Sequence, residues 1–199
     1  MNIYYILIFI VVYAICMFNP AITICKKKTG ADIRRTGNMD AGIVNAFKVL
    51  GRPLGTLVII MNVLKIILSY YIAKSLGVMF GINVASSLFE SIVILATMIG
   101  HCFPAIYKFN GGKGIIEFWT LMTIFNPKYV AICVATGLMV VAFTKVIAKG
   151  NLAGCILYLV ISIIMGCSYI YALIISLCIV FYRHRDNIHR MRNKQEETI

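Results

Sequence analysis

The sequence predicts an all-α membrane protein: a polytopic helical bundle of about seven crossings, one of them short, with its N-terminus outside and its C-terminus in the cytoplasm. Three observations predict it. Apolar residues make up 61% of the 199 positions and charged residues only 13%, against roughly 25% charged in an average soluble domain. The apolar residues come in runs close to the ~20 residues a helix needs to cross a hydrocarbon core of about 30 Å. The basic residues gather in the segments between those runs, mostly on one side. Residues 1–199 therefore read as one integral membrane domain.

Clear spans lie near residues 3–24, 54–72, 84–100 and 129–147. Two more fit within 152–183, meeting near Gly166 to Ser168, each about the minimum length. The stretch from Gly114 to Phe125 is apolar but short, a half-span or an eccentric helix. Seven crossings put the termini on opposite sides, and charge assigns the sides. Of the 19 Lys and Arg residues, seven fall in 25–53, two in 101–113, two in 145–149 and five in 183–199, so 16 share one face. That is the bias expected of cytoplasmic segments. Lys74 and Lys128 lie opposite, and Lys65 falls inside a span. The first span has no positive residue before it and Lys26, Lys27 and Lys28 after it, the reverse of a secretory signal peptide, which predicts a retained anchor.

A net charge of +12 would point to nucleic acid in a soluble chain. Here the bilayer accounts for it, no nucleic-acid signature accompanies it, and membrane lipid is the expected surrounding. The seven cysteines are scattered through apolar runs with no CxxC pair, the pattern of small buried apolar residues. Neither a metal site nor a cofactor is expected.

Three of the basic segments also carry the polar motifs, so any chemistry belongs on that face. The strongest is Gly100-His101-Cys102-Phe103-Pro104 followed by Phe109-Asn110-Gly111-Gly112-Lys113-Gly114, which opens an apolar helix. Glycines let backbone N–H groups approach an anion, a helix N-terminus adds partial positive charge, and Lys113 adds a full one. This is a phosphate cradle in physical terms, though not a Walker A loop, which would need Gly at Tyr107 and Ser or Thr at Gly114. The alternative is a tight turn with Lys113 on lipid headgroups. The second segment, Asp32 to Lys48, mixes Asn, Gly and Thr with basic residues, and suits either an ordered polar loop or a substrate site. The third is His184-Arg185-Asp186-Asn187-Ile188-His189-Arg190, with Glu196 beyond. At helical spacing Asn187 lies one turn from His184, so both reach one ligand.

Taken together, the three segments resemble the bacterial acyl-phosphate-dependent glycerol-3-phosphate acyltransferases, the PlsY family, across nearly the whole chain. The resemblance implies a small integral enzyme of the bacterial cell membrane, its active site facing the cytoplasm. Such an enzyme moves a fatty acyl group from acyl phosphate to the sn-1 hydroxyl of glycerol 3-phosphate, giving lysophosphatidate for phospholipid synthesis. It implies that Gly111, Gly112, Lys113 and Gly114 bind glycerol 3-phosphate, that His184 and Asn187 are the paired functional residues of the third motif, and that Glu196 is structural. The first motif departs from the family's Ser-Gly-Asn, Gly-Ala-Thr-Asn and Arg. This chain has Thr36-Gly37-Asn38, two extra residues, Gly42-Ile43-Val44-Asn45 and Lys48. The family's Asp ahead of Lys65 is Asn62, and the Thr after the glycine motif is Glu117. As ionisable groups at membrane depth, Lys65 either serves the site or pairs within the bundle, and Glu117 is either its partner or a group that repels an anionic substrate.

Acyl phosphate is already activated, so the chemistry asks chiefly for two anionic substrates held together and for charge stabilisation. Lys113, Lys48 and His184 are the expected phosphate ligands, with Thr36, Asn38, Asn45 and Asn187 orienting hydroxyl or donor. Lys65 is a further binding candidate, and His101 or His184 is a possible general base beside a substrate phosphate oxygen. A family member acylating another polyol phosphate, and a non-catalytic lipid-binding or transport protein on the same scaffold, are the competing readings.

Overall fold

The structure, a computed structural model, describes residues 3–198; residues 1, 2 and 199 of the expected domain lie outside it. Helix α1 (Ile3–Cys16) ends ahead of Asn19, whose side chain caps α2 (Pro20–Thr29) by accepting from the Ile22 N–H at 3.2 Å. Pro20 has no N–H to continue a helix and a fixed φ that suits a first helical position. The span expected over 3–24 is thus two helices, which together still cover enough apolar length to cross a bilayer.

Helix α3 (Ile43–Met79) is far longer than the expected 54–72. It is kinked at Gly51, where φ 79 and ψ 176 are open to glycine and costly for other residues. A Cβ on Gly55 would meet the Phe47 ring at 2.8 Å, so the segment before the kink lies back against the span. Its polar residues Asn45 and Lys48 read as loop by type, and both are held by the loop that precedes the helix.

Helices α4 (Ser87–Cys102), α5 (Ile115–Phe125), α6 (Pro127–Thr144), α7 (Ile147–Ile164), α8 (Ile170–Arg183) and the short α9 (Arg185–Arg192) complete the order. Among the described residues, five helical stretches are long and apolar enough to cross a membrane, beginning at Ile3, Ile43, Ser87, Pro127 and Ile147; α5 and α8 are shorter apolar helices. The span expected over 129–147 ends at Thr144, where Lys145 turns the chain at φ 58. The expected junction near Gly166 is a turn with Gly166 at φ 64.

Helix α1 packs on α3 and α4, α4 on α8, and α6 on α7. Lipid offers no hydrophobic drive between helices, so close approach at small residues supplies the contact. In the α6/α7 pair a Cβ on Gly137 would lie 2.8 Å from the Gly150 carbonyl, and one on Gly150 would collide with the Gly137 carbonyl.

A polar cluster sits inside this apolar bundle. Lys65 on α3 is 7% exposed and donates from Nζ to Asn62 Oδ1 and the Phe18 carbonyl, both at 3.0 Å. Its Nζ lies 3.2 Å from His101 Nδ1 on α4 and 3.6 Å from Glu117 Oε1 on α5. Glu117 Oε1 is in turn 2.9 Å from His101 Nδ1, and all three side chains are buried. One ammonium thus ties together the end of α1 and three helices.

Two outcomes follow from this packing. Gly150→Val should sharply reduce the monodisperse protein recovered in detergent. Gly166→Ala, with open space around it and only a left-handed backbone to strain, should cost about 1–2 kcal/mol. Thermal unfolding in detergent ranks the two. Glu117→Gln leaves a buried ammonium without its carboxylate and should cost about 3–5 kcal/mol, whereas Lys65→Met with Glu117→Gln should recover much of that loss. A double variant no more stable than the single would show that charge balance does not hold the cluster.

Candidate functional site

The glycine-rich loop is built backward from the end of α4. The Gly111 N–H donates to the Cys102 carbonyl and the Gly112 N–H to the His101 carbonyl, both at 3.2 Å. A Cβ on Gly112 would strike the His101 ring, and one on Gly111 the His101 carbonyl. These glycines are therefore needed for close packing on α4, and their own N–H groups are spent there. Arg183, the last residue of α8, clamps the loop: its Nε donates to the Gly112 carbonyl at 3.1 Å, and its Nη2 to the Gly111 carbonyl and Asn110 Oδ1. From the other side Arg34 Nη1 donates to the carbonyls of Tyr107 at 2.9 Å and Asn110 at 3.0 Å. Arg34 is itself fixed by Asp32, whose carboxyl it holds below the usual carboxylate range. The loop then delivers Lys113 and Gly114, at φ 79, to the start of α5. Among the described residues the N–H groups of Lys113 and Gly114 have no acceptor, so they remain available to an anion at the positive end of α5.

The first-motif loop is organised by Asn45, which is fully buried. Its Nδ2 reaches the carbonyls of Ile33 and Thr36 at 3.0 Å and of Asp40 at 2.8 Å, while its Oδ1 accepts from the Asn38 N–H at 2.8 Å. Gly37 turns the loop at φ 57, and a Cβ there would strike Asn45 Oδ1. Held this way, the loop points Asp40 at Lys113, with Oδ2 2.7 Å from Nζ. The Asp40 Oδ1 accepts from the Gly42 N–H at 2.7 Å, which closes an Asx turn at the start of α3.

The third segment follows α8. His184 is 2% exposed, and its Nδ1 lies 2.8 Å from the Val180 carbonyl. A carbonyl only accepts, so Nδ1 carries the hydrogen and Nε2 is the free lone pair. Burial lowers the imidazole pKa below its ordinary value, keeping the ring neutral near pH 7. One turn on, Asn187 donates from Nδ2 to Glu196 Oε1, and Arg190 Nε donates to Glu196 Oε2 at 2.7 Å. The Asn187 Oδ1 is buried with no hydrogen-bond partner among the described residues.

A cavity of about 260 Å³ lies between these pieces. Of the residues singled out by sequence, Asn38, His101, Lys113, Gly114, His184, Asn187 and Glu196 line it. Thr36, Asn45, Gly111 and Gly112 stand behind its wall, Lys65 lies in the cluster beneath it, and Lys48 is exposed, donating to Asn38 Oδ1 at 2.8 Å and pairing with Glu197. Lys48 and Asn38 hold the Glu197 carboxyl below the usual range. Asp40, Asn151, Arg183 and Glu197 were not anticipated as site residues. Asn151 had a legible signal, a lone amide in the apolar run of α7; the others read as ordinary surface charges. Asn62, Glu117 and Thr198 add further polar groups, and an apolar wall is formed by Ala41, Ile43, Val44, Ile115, Ile116, Ile147 and Ala148. An anion-binding pole and an apolar wall thus face one another, which suits a ligand with a charged head and a hydrocarbon tail.

Known proteins resemble this chain in sequence and in fold. Residues 6–194 match the family model for glycerol-3-phosphate acyltransferase. The chain is 30% identical to the glycerol-3-phosphate acyltransferase of Clostridioides difficile, covering 98% of this chain and 95% of that one. It is 32% identical to that of Finegoldia magna, covering 98% and 96%. The fold is similar to the crystal structure of PlsY (YgiH) in its glycerol 3-phosphate form, with a TM-score of 0.87 at 22% identity over 98% of this chain and 95% of that chain. It is also similar to the lysophosphatidic acid form, with a TM-score of 0.83 at 20% identity. With the match extending along nearly its whole length, the chain belongs to the glycerol-3-phosphate acyltransferase family.

Proposed function

We propose that this chain acylates the sn-1 hydroxyl of glycerol 3-phosphate with a fatty acyl group from acyl phosphate, at the cytoplasmic face of the cell membrane. The observation that carries the reading is the meeting of Lys113, the α5 N-terminus, His184 and the unpartnered Asn187 Oδ1 around one cavity with an apolar wall. The face is supported by charge: apart from Asn62 and His101, the cavity takes its lining from four segments around residues 38–44, 113–117, 147–151 and 184–198, which adjoin the basic runs.

Lys113 and the free N–H groups at the start of α5 take phosphate, where a cation and a helix terminus both favour negative charge. Asn187 Oδ1 accepts from a hydroxyl of the acceptor, which satisfies its buried lone pair and directs the sn-1 oxygen. That oxygen attacks the acyl carbonyl carbon, and its proton passes to His184 Nε2. The carbon–oxygen bond to phosphate then breaks with its electron pair on the leaving phosphate. His184 suits the base role better than His101, whose ring is packed on Gly112 and held between Lys65 and Glu117. The apolar wall accommodates the tail, and the lysophosphatidate formed leaves toward lipid.

Purified protein in lipid should release inorganic phosphate from acyl phosphate only when glycerol 3-phosphate is present, with lysophosphatidate formed in equal amount; phosphate release without acylated product would defeat the reading. Lys113→Ala should lower kcat/KM about 10²-fold or more. Because burial holds the His184 pKa below 6.5, kcat should stay level down to about that pH and fall only below it, as the ring gains its proton. His184→Gln should be slow and should lose that acidic limb.

A further inference from the structure

Each of the three lysines in and around the cavity already has a carboxylate: Lys65 faces Glu117, Lys48 faces Glu197, and Lys113 faces Asp40. The pairs differ in kind. Lys65 and Glu117 are almost fully buried at the floor of the cavity, where Glu117 but not Lys65 reaches the lining, and Lys48 and Glu197 are about half exposed, where an ion pair is screened and weak. Only the Lys113–Asp40 pair is both in the cavity lining and largely shielded, with side chains 20% and 19% exposed and 2.7 Å between charged atoms. Asp40 is also unable to swing away freely, because its other oxygen is fixed on the Gly42 N–H and its carbonyl on Asn45. It sits in the stretch where this chain carries two residues more than the family pattern.

We propose that Asp40 is a specificity-determining counter-ion, which holds Lys113 at the glycine loop and competes with substrate phosphate for its charge. The inference deepens the proposed acceptor site and rests on Lys113 being its phosphate ligand. A phosphate entering beside Lys113 must share the ammonium with a fixed carboxylate close by, so the repulsion weakens every phosphate-bearing ligand. The weakening is smaller for ligands of lower phosphate charge. Asp40 thereby sets a higher working concentration for the acceptor and eases release of the phosphate-bearing product. Asp40 does not touch the reacting carbonyl and takes no part in proton transfer.

Asp40→Asn is the informative change, since an amide oxygen still accepts from the Gly42 N–H and preserves the turn while the charge is lost. Inorganic phosphate is the probe, measured by isothermal titration on the purified full chain in detergent, so the readout does not depend on turnover. Asp40→Asn should bind phosphate about fivefold tighter than the unaltered chain, with a steeper loss of affinity as salt is raised. Lys113→Ala should bind phosphate weakly, and adding Asp40→Asn to it should recover less than the gain seen with Lys113 present, because direct repulsion is relieved in both backgrounds while the freed ammonium exists only in one. Asp186→Asn, which removes an equal charge from an exposed position on α9, should leave phosphate affinity unchanged. In turnover assays the KM for glycerol 3-phosphate should fall in Asp40→Asn while kcat stays level or drops. Unchanged or weaker phosphate binding in Asp40→Asn would overturn the proposal, as would a gain equally large without Lys113. If Asp40→Asn fails to fold, Asp40→Ser, whose hydroxyl also closes the turn, carries the same test. A chain that tightens on phosphate as described but forms no lysophosphatidate would leave this inference standing and remove the acyltransferase reading.

Discussion

The ammonium of Lys65 is the constraint around which the bundle is arranged. A charge withdrawn from water is tolerated only where hydrogen-bond acceptors and an opposite charge surround it. Here they come from the Phe18 carbonyl, Asn62, His101 and Glu117, contributed by the break after α1 and by α3, α4 and α5. Satisfying that one group fixes how the first part of the chain meets the two helices that bracket the glycine loop. His101 belongs to the cluster and also packs on Gly112, so the packing of the interior is passed directly to the loop that presents Lys113.

Around that anchor the site is held by backbone carbonyls more than by side-chain pairs. Arg34 and Arg183 grip the glycine loop from opposite sides through its carbonyl groups, and Asn45 grips the first-motif loop in the same manner. Loops that carry few apolar residues gain little from burial, so a multidentate donor at their centre supplies the rigidity that packing cannot. The functional groups then project from fixed points. Lys113 lies at the start of α5, His184 lies beyond the end of α8, and Asn187 is tied by Glu196.

Several parts of this arrangement are visible in the sequence. The spacing of His184 and Asn187 places them on one helical face, and both line the cavity with Lys113 and Gly114. The glycines at 111 and 112 are another matter. Their types suggest open N–H groups, whereas both N–H groups are occupied by carbonyls of α4 and the glycines serve close packing. Asn45 likewise reads as a ligand by type, and its position makes it the organiser of a loop. Asp40 and Arg183 carry no local mark, because their importance lies in partners 73 and 71 residues away. The kink at Gly51 and the break at Asn19-Pro20 redraw two spans whose apolar character was plain.

The sequence by itself determined that this chain is a helical membrane protein, through apolar runs of crossing length and basic residues gathered beside them. It also determined the family, through three short motifs in a fixed order. Such properties are local: a run of apolar side chains or a glycine-rich turn has the same meaning wherever the chain goes next. Only the tertiary structure decided which lysine meets which carboxylate, which amide supports a loop and which faces the cavity. Those outcomes depend on distances of about 3 Å between residues far apart in the chain, and such distances are set by how the helices pack.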